Sequence, residues 1–306
     1  MRDLFSPTTT TQGGKRLLLS MSGGKTSAYM ARQVLTRCAH LWDEIVTVFA
    51  NTGQENEQTL EFVRQCDEHF GFNTAWVEAV VNDGKGNGTT HRVVSFETAS
   101  RHGEPFEAVI RKYGIPNVKH PHCTRELKQR AIESYAASLG WGKGYVTAIG
   151  IRPDEARRVN PKATERKIAY PLVDWFYADK QDVNDWWEEQ AFNLQLQEHQ
   201  GNCKWCWKKS FVKHAMLLDE CPANYNFPAR MEAEYGYVGP DQEPDEAFPR
   251  TFFRGNRSTA ALKALCSEIS APARVAAQDE NSGCSESCEL YPTDTRTLPL
   301  FEEVAA

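Results

Sequence analysis

Apolar positions in this chain fall in short blocks whose spacing switches repeatedly between two periods. Residues 17–22, 44–51, 74–81, 92–98 and 145–150 are strand-length apolar or β-branched runs, and residues 28–38, 58–70, 106–113 and 123–139 carry apolar side chains at helical spacing. Strands that alternate with helices imply right-handed crossovers, and so a parallel sheet with helices on both faces. Residues 82–88, rich in Gly and Asn, read as an excursion from that pattern. From residue 171 onward the pattern changes: Trp175, Trp186, Trp187, Trp205 and Trp207 crowd together, helices are expected at 179–190, 208–218 and 257–269, and residues 231–249 read as an acidic connection. The expected organisation is α/β, with a flexible tail (1–15), a parallel-sheet domain (16–175) and an appended, mainly helical, cysteine-bearing C-terminal module (176–306).

Composition narrows the class. A net charge of −6 argues against a protein that coats nucleic acid, yet residues 152–167 and 204–213 are locally basic, so an anionic substrate can meet a basic face on an acidic protein. No charged-then-apolar leader and no apolar run of membrane-spanning length stands out, which gives the expectation of a cytoplasmic protein with no membrane partner. In that compartment nine cysteines point to metal ligation or catalysis rather than to a disulfide framework. Cys38, Cys66 and Cys266 sit among apolar neighbours and read as core residues.

Four segments carry candidate chemistry. In the first, residues 16–27 (Arg-Leu-Leu-Leu-Ser-Met-Ser-Gly-Gly-Lys-Thr-Ser), a strand hands over to a helix N-terminus, where unpaired N–H groups and the helix dipole favour an anion. Gly23 and Gly24 allow close backbone approach, Ser20, Ser22, Thr26 and Ser27 supply hydroxyls, and Lys25 supplies a charge, so a phosphate chain is the natural ligand. A Walker A loop would need Gly where Leu19 stands, and Gly-x-Gly-x-x-Gly is absent. The second segment, Asn51-Thr52-Gly53, ends the second strand and lies beside the first loop in such a sheet. The third begins at Gly150 and places Arg152, Arg157 and Arg158 at another strand end, with planar forks for phosphate or sulfate and Glu155 to hold one of them.

The fourth segment is Cys203-x-x-Cys206, with Lys208 and Lys209 favouring thiolates. Zinc and a [4Fe–4S] cluster both accept four thiolates, and spacing alone does not separate them. A redox dithiol is the rival reading, although the thioredoxin-like strand and helix around such a motif are missing. Further ligands on offer are Cys123, at the start of a helix, and Cys284 or Cys288 in the polar tail.

Residues 22–27 resemble the Ser-Gly-Gly-Lys-Asp-Ser pyrophosphate loop (PP-loop) of the adenine nucleotide alpha-hydrolase superfamily, with Thr26 in place of the usual Asp. Asn51-Thr-Gly followed by Glu57 and Thr59, the Gly150/Arg152/Glu155/Arg158 pattern, and Tyr170-Pro-Leu-Val-Asp174-Trp175 resemble the phosphoadenosine phosphosulfate (PAPS) reductase-like branch. Cys123-Thr-x-x-Leu-Lys, Gly201-Asn-Cys-x-x-Cys206 and a late cysteine resemble phage and bacterial members of that branch that look like iron–sulfur proteins; APS reductases and the DNA phosphorothioation sulfurtransferase also carry clusters. This resemblance implies an enzyme that binds ATP or a PAPS-type adenine nucleotide through Ser20, Ser22, Gly23, Gly24, Lys25, Thr26, Ser27, Asn51, Thr52, Gly53, Gly150 and Arg152, with Mg²⁺ assisting. It implies catalytic roles for Lys25, Cys123, Arg152 and Arg158, and a [4Fe–4S] cluster, with zinc the alternative, on Cys123, Cys203, Cys206 and Cys288. Cys288 is preferred over Cys284 because Glu-Ser-Cys-Glu resembles the tail of cluster-bearing relatives.

The implied reaction is adenylation with pyrophosphate release, followed by sulfur transfer. A sulfur donor or reductant protein, a nucleic-acid acceptor and a homo-oligomer are the implied partners. Two alternatives stand beside it: PAPS or APS reductase proper, set back by the lack of a Glu-Cys-Gly-Leu/Ile-His tail, and a non-catalytic nucleic-acid-binding protein on a degenerate nucleotide fold.

Overall fold

Leu17, Leu18 and Leu19 are all fully buried, an unbroken apolar run that only a central strand covered on both faces requires. They belong to β1 (Arg16–Met21), which lies between β2 (Glu44–Asn51) and β5 (Tyr145–Ile149). The computed structural model describes residues 14–84, 86–239 and 248–270. It shows a mixed α/β fold around a six-stranded sheet in the order β4-β3-β2-β1-β5-β6, where β3 is Ala75–Val81, β4 is Thr89–Val94 and β6 is Ile168–Ala169. All neighbours pair in parallel except β3 and β4, so the edge strand β4, which starts three residues ahead of the expected run, is antiparallel.

Strand alternation sends side chains into two cores. Leu17, Leu19, Phe49 and Trp76 pack with α1 (Lys25–Arg37), α2 (Glu57–Phe70) and α7 (Lys180–Glu188). Leu18, Val48 and Val77 face the other way, toward α3 (Glu104–Tyr113) and a helix that starts as α4 (His122–Thr124), passes through a π-helical turn (Arg125–Gln129) and continues as α5 (Arg130–Ser138). The same core takes in Ala215 and Leu217 of α8 (Phe211–Glu220), Met231 of α9 (Asn226–Tyr235) and Leu262 of α10 (Thr259–Ser267). Packing therefore runs across residue 175, with α7 on one face of the sheet and α8, α9 and α10 on the other. The short α6 (Pro171–Asp174) connects the two parts.

Helix α9 occupies part of the stretch that reads as an acidic connection: Met231 is fully buried, while Glu232 accepts backbone N–H groups from Phe252 and Thr259. Cys38, Cys66 and Cys266 are buried in the cores. Residues 1–13 of the expected tail, and Cys284 and Cys288, lie outside the described residues. Among the described residues, no helix is long and apolar enough to cross a membrane.

Candidate functional site

After β1 the chain goes out to β2, β3 and β4 and returns as β5 on the other side of β1, so the sheet changes direction between β1 and β5. A crevice opens at such a point, at the carboxyl ends of the strands. The residues after β1 form the expected turn, with Gly23 at φ +81° and a Cβ there only 2.4 Å from Thr59 Cγ2, so the position requires glycine. The Ser22 N–H donates to Ser27 Oγ (3.1 Å), the two serine hydroxyls share a hydrogen bond (3.0 Å), and Ser27 Oγ donates to the Gly24 carbonyl (3.0 Å). Gly24 caps α1 with no side-chain hydrogen bond, so the first turn of the helix carries no side-chain substitute for an anion.

β5 comes hard against this turn. A Cβ on Gly150 would stand 2.8 Å from Ser27 Cα, so glycine permits the approach. It brings buried Arg152 to the loop, where Nη1 donates to Thr26 Oγ1 (2.9 Å) while Nε and Nη2 donate to Asp154 (3.0 and 2.9 Å). Glu155 accepts from the Arg152 N–H and from Arg158 Nη1. The two arginines are thus oriented by carboxylates, as the sequence leads one to expect of Glu155.

Ser20, Ser22, Gly24, Lys25, Thr26, Ser27, Gly150, Arg152 and Arg158 line one cavity of about 430 Å³. Lys25 is half-buried there, and burial pulls its ammonium below the ordinary lysine range against the opposing charge of Glu188. Trp187 Nε1 donates to the Lys25 carbonyl (3.0 Å), so α7 forms a second wall.

Asn51, Thr52 and Gly53 do not reach that cavity's wall; Ala50 and Lys128 stand there instead. The Asn51 amide is fully buried and donates to Glu78 (2.6 Å) and the Ser100 carbonyl (2.9 Å), while Thr52 bonds Glu55 through its N–H and hydroxyl (both 2.9 Å). Burial pushes the Glu55 carboxyl up, with Lys128, 3.9 Å away, opposing. What this segment does is dock the Cys-x-x-Cys turn. Asn56 Nδ2 donates to the Gly201 carbonyl (2.9 Å), the Lys204 N–H to the Gln54 carbonyl (2.9 Å) and Trp205 Nε1 to Gln54 Oε1 (2.5 Å), and Glu55 pairs with Cys203 in an antiparallel bridge.

Docking gathers Cys123, Cys203 and Cys206 around a second, small cavity of about 20 Å³. Thr124 lies inside the helix at φ −62°, with Pro121 at the cap. Thr124 and Trp207 both line the cavity, and Thr124 Oγ1 and Trp207 Nε1 are buried without a hydrogen-bond partner. Two donors are thus left unmatched beside a space of about the size of one water molecule that three thiols also line, whereas buried polar atoms otherwise find partners. Among the described residues, no group of three or more His, Cys, Asp or Glu side chains stands as a ready metal cage. Cys288 and Cys284 are outside that range.

Lys128, which lines both cavities, and Asn202 join the site from within the Cys123-Thr-x-x-Leu-Lys and Gly201-Asn-Cys motifs, although neither is among the expected site residues; Glu188 joins without a sequence signal of its own. Lys128 arrives through the π-helical turn, a local widening frequent at functional sites that apolar periodicity does not reveal.

No family model matches the chain. Over 284 residues, 90% of this chain and 94% of the relative, it is 31% identical to the uncharacterized nin region protein ORF290 of Escherichia phage lambda. The length and extent of that match make the chain a member of the same family as the phage lambda nin region protein.

Proposed function

We propose that the chain is a PAPS-reductase-like enzyme of the PP-loop type, which activates a substrate oxygen by adenylation from ATP and passes the activated centre to sulfur. The observation that carries this reading is the single cavity at the β1–β5 crevice, where the uncapped start of α1, half-buried Lys25 and the oriented forks of Arg152 and Arg158 converge. Backbone N–H groups and the Lys25 ammonium would hold the β- and γ-phosphates, with Mg²⁺ neutralising further charge. The substrate oxygen would attack the α-phosphorus as pyrophosphate leaves, and a sulfur nucleophile from a donor would then displace AMP. Arg152 and Arg158 would orient the anion and stabilise charge that builds on the transferring phosphoryl group.

Cys123, Cys203 and Cys206 would hold a [4Fe–4S] cluster, or zinc in the alternative, with the remaining thiolate from Cys288 or Cys284. Bound there, a cluster supplies a site that can bind or deliver sulfur. Thr124 and Trp207 would give their unmatched donors to its sulfur atoms.

The test is anaerobic purification followed by metal analysis and an ATP–pyrophosphate exchange assay. The expected result is iron with broad visible absorbance and nucleotide-dependent pyrophosphate exchange. Tight PAPS binding without exchange would favour a reductase instead. Binding of neither nucleotide would remove the enzymatic reading.

A further inference from the structure

Between the phosphate loop and the cysteine cavity lies one lining side chain whose role has not yet been assigned. Asn202 lines the large cavity, and a Cβ built on Gly24 would stand 3.6 Å from its Oδ1 and 4.0 Å from its Nδ2. The amide therefore lies against the residue that caps α1, at the edge of the space where an anion would sit. An amide offers two N–H donors, and its O and N ends exchange by a simple flip, so either face can turn a donor to phosphate.

The main chain of the same residue belongs to the other site. The Asn202 carbonyl accepts from the Asn56 N–H (3.4 Å), and the next residue, Cys203, pairs with Glu55 in the bridge that seats the Cys-x-x-Cys turn. On either side, Asn56 Nδ2 holds the Gly201 carbonyl and the Lys204 N–H holds the Gln54 carbonyl. These hydrogen bonds seat residues 201–204 on the segment after β2. A bond from the Asn202 side chain to a bound anion would add a fixed point in the middle of that seat.

We propose that Asn202 is a phosphate-sensing residue: its amide binds the anion held by residues 22–27, and the resulting fixation of residues 201–206 carries nucleotide occupancy to Cys203 and Cys206. This rests on reading the loop as a nucleotide site. The coupling needs no large motion, because a segment that is already ordered costs a second ligand less to bind.

The probes are ATP and inorganic pyrophosphate, with affinity read by calorimetry and backbone order by hydrogen–deuterium exchange on full-length protein purified without oxygen. In the parent, saturating ATP slows exchange both at residues 22–28 and at residues 201–206. Asn202→Ala weakens ATP about tenfold, the usual worth of a hydrogen bond to a charged group. At saturation it still slows exchange at 22–28 but no longer at 201–206. Asn202→Asp, which keeps the side-chain size and sets a carboxylate against phosphate, weakens binding further than alanine does. Equal slowing at 201–206 in parent and Asn202→Ala overturns the proposal, as does a parent that binds ATP with exchange at 201–206 unchanged. A parent that binds neither ATP nor pyrophosphate overturns the nucleotide reading itself, a different and separately visible failure.

Discussion

The phosphate loop and the cysteine cavity meet at Lys128 and Asn202 but are held together by different means. In the loop, Ser22, Gly24 and Ser27 bond to one another within a single turn, and glycines at 23 and 150 let Thr59 and the end of β5 close in from outside. The shape is set before any ligand arrives. The cysteine cavity draws its wall from the loop after β2, the start of the α4–α5 helix and residues 203–207, and it leaves Thr124 Oγ1 and Trp207 Nε1 without partners. One region is preorganised by local bonds, whereas the other is assembled by long-range docking and has polar groups still to satisfy.

Removing a thiol should separate the two most strongly. Serine at Cys123, Cys203 or Cys206 is expected to abolish metal content and lower the thermal midpoint, because a metal held only by the folded chain adds its binding free energy to folding. ATP should still bind, since the bonds that shape the loop involve no cysteine. Cys66→Ser, at a buried position whose thiol burial pushes far up, should keep full metal content. Metal analysis and scanning calorimetry check both outcomes.

The next largest effect belongs to the glycines. Gly23→Ala meets a left-handed φ as well as the 2.4 Å approach to Thr59 Cγ2, and Gly150→Ala presses on Ser27. Each is expected to destabilise by about 1–3 kcal/mol. ATP binding should fall with the distorted loop; urea unfolding and calorimetric titration measure the two quantities.

Arg152→Ala comes third. It removes the fork that joins Thr26 to Asp154 and faces the cavity, and a lost charge-assisted bond of about 1.5–3 kcal/mol amounts to roughly one to two decades in ATP affinity. The thermal midpoint should also fall, since Asp154 and the buried Glu155 lose a charge partner. Equal ATP affinity in Arg152→Ala and Arg158→Ala variants and in the parent would make the basic turn a surface feature.

The last expected effect is a pH dependence on the cysteine side. His214 of α8 is buried against Tyr225, and burial pushes its ring down to about 3 from an ordinary 6.5, with Lys209 and Arg254 adding to the shift. A depressed folded-state pKa means that the stabilising contribution is complete above pH 6.5 and is lost as pH falls from there toward 3. The loss runs at up to about 1.4 kcal/mol per pH unit. His214→Asn cannot take the proton, so urea unfolding at pH 7.5 and 5 should show a flatter slope than the parent.

Local chemistry was legible in the sequence where local bonds do the work. The strand, glycine turn and helix at residues 16–37 follow from an apolar run that stops at Ser-Gly-Gly-Lys, and Gly150 with Arg152 follows a second apolar run in the same way. Asn51-Thr-Gly shows what the sequence leaves open: a polar triplet after a strand suits a ligand loop or a structural loop equally, and the bonds of Asn51 to the distant Glu78 and Ser100 could not be read from it. Lys128 stands in the Cys123-Thr-x-x-Leu-Lys motif, but the π-helical turn that carries it could not be read from apolar periodicity; α9 was hidden by Gly and acidic residues just beyond it that mask its single buried face. That Cys123, Cys203 and Cys206 line one small cavity could not be read from periodicity, which connects no residues so far apart.

The central claim is that the loop after β1 grips the phosphates of an adenine nucleotide, and calorimetric titration of ATP into the parent and a Gly24→Asp variant tests it most directly. A Cβ at position 24 meets nothing closer than 3.6 Å, so the variant should fold, while its carboxylate would stand beside the phosphates. The account predicts saturable binding to the parent and a loss of at least about a hundredfold in the variant, as expected for a like charge set against a charged ligand in a partly buried site. A parent that does not bind ATP, or a Gly24→Asp protein that binds it equally well, would contradict the account.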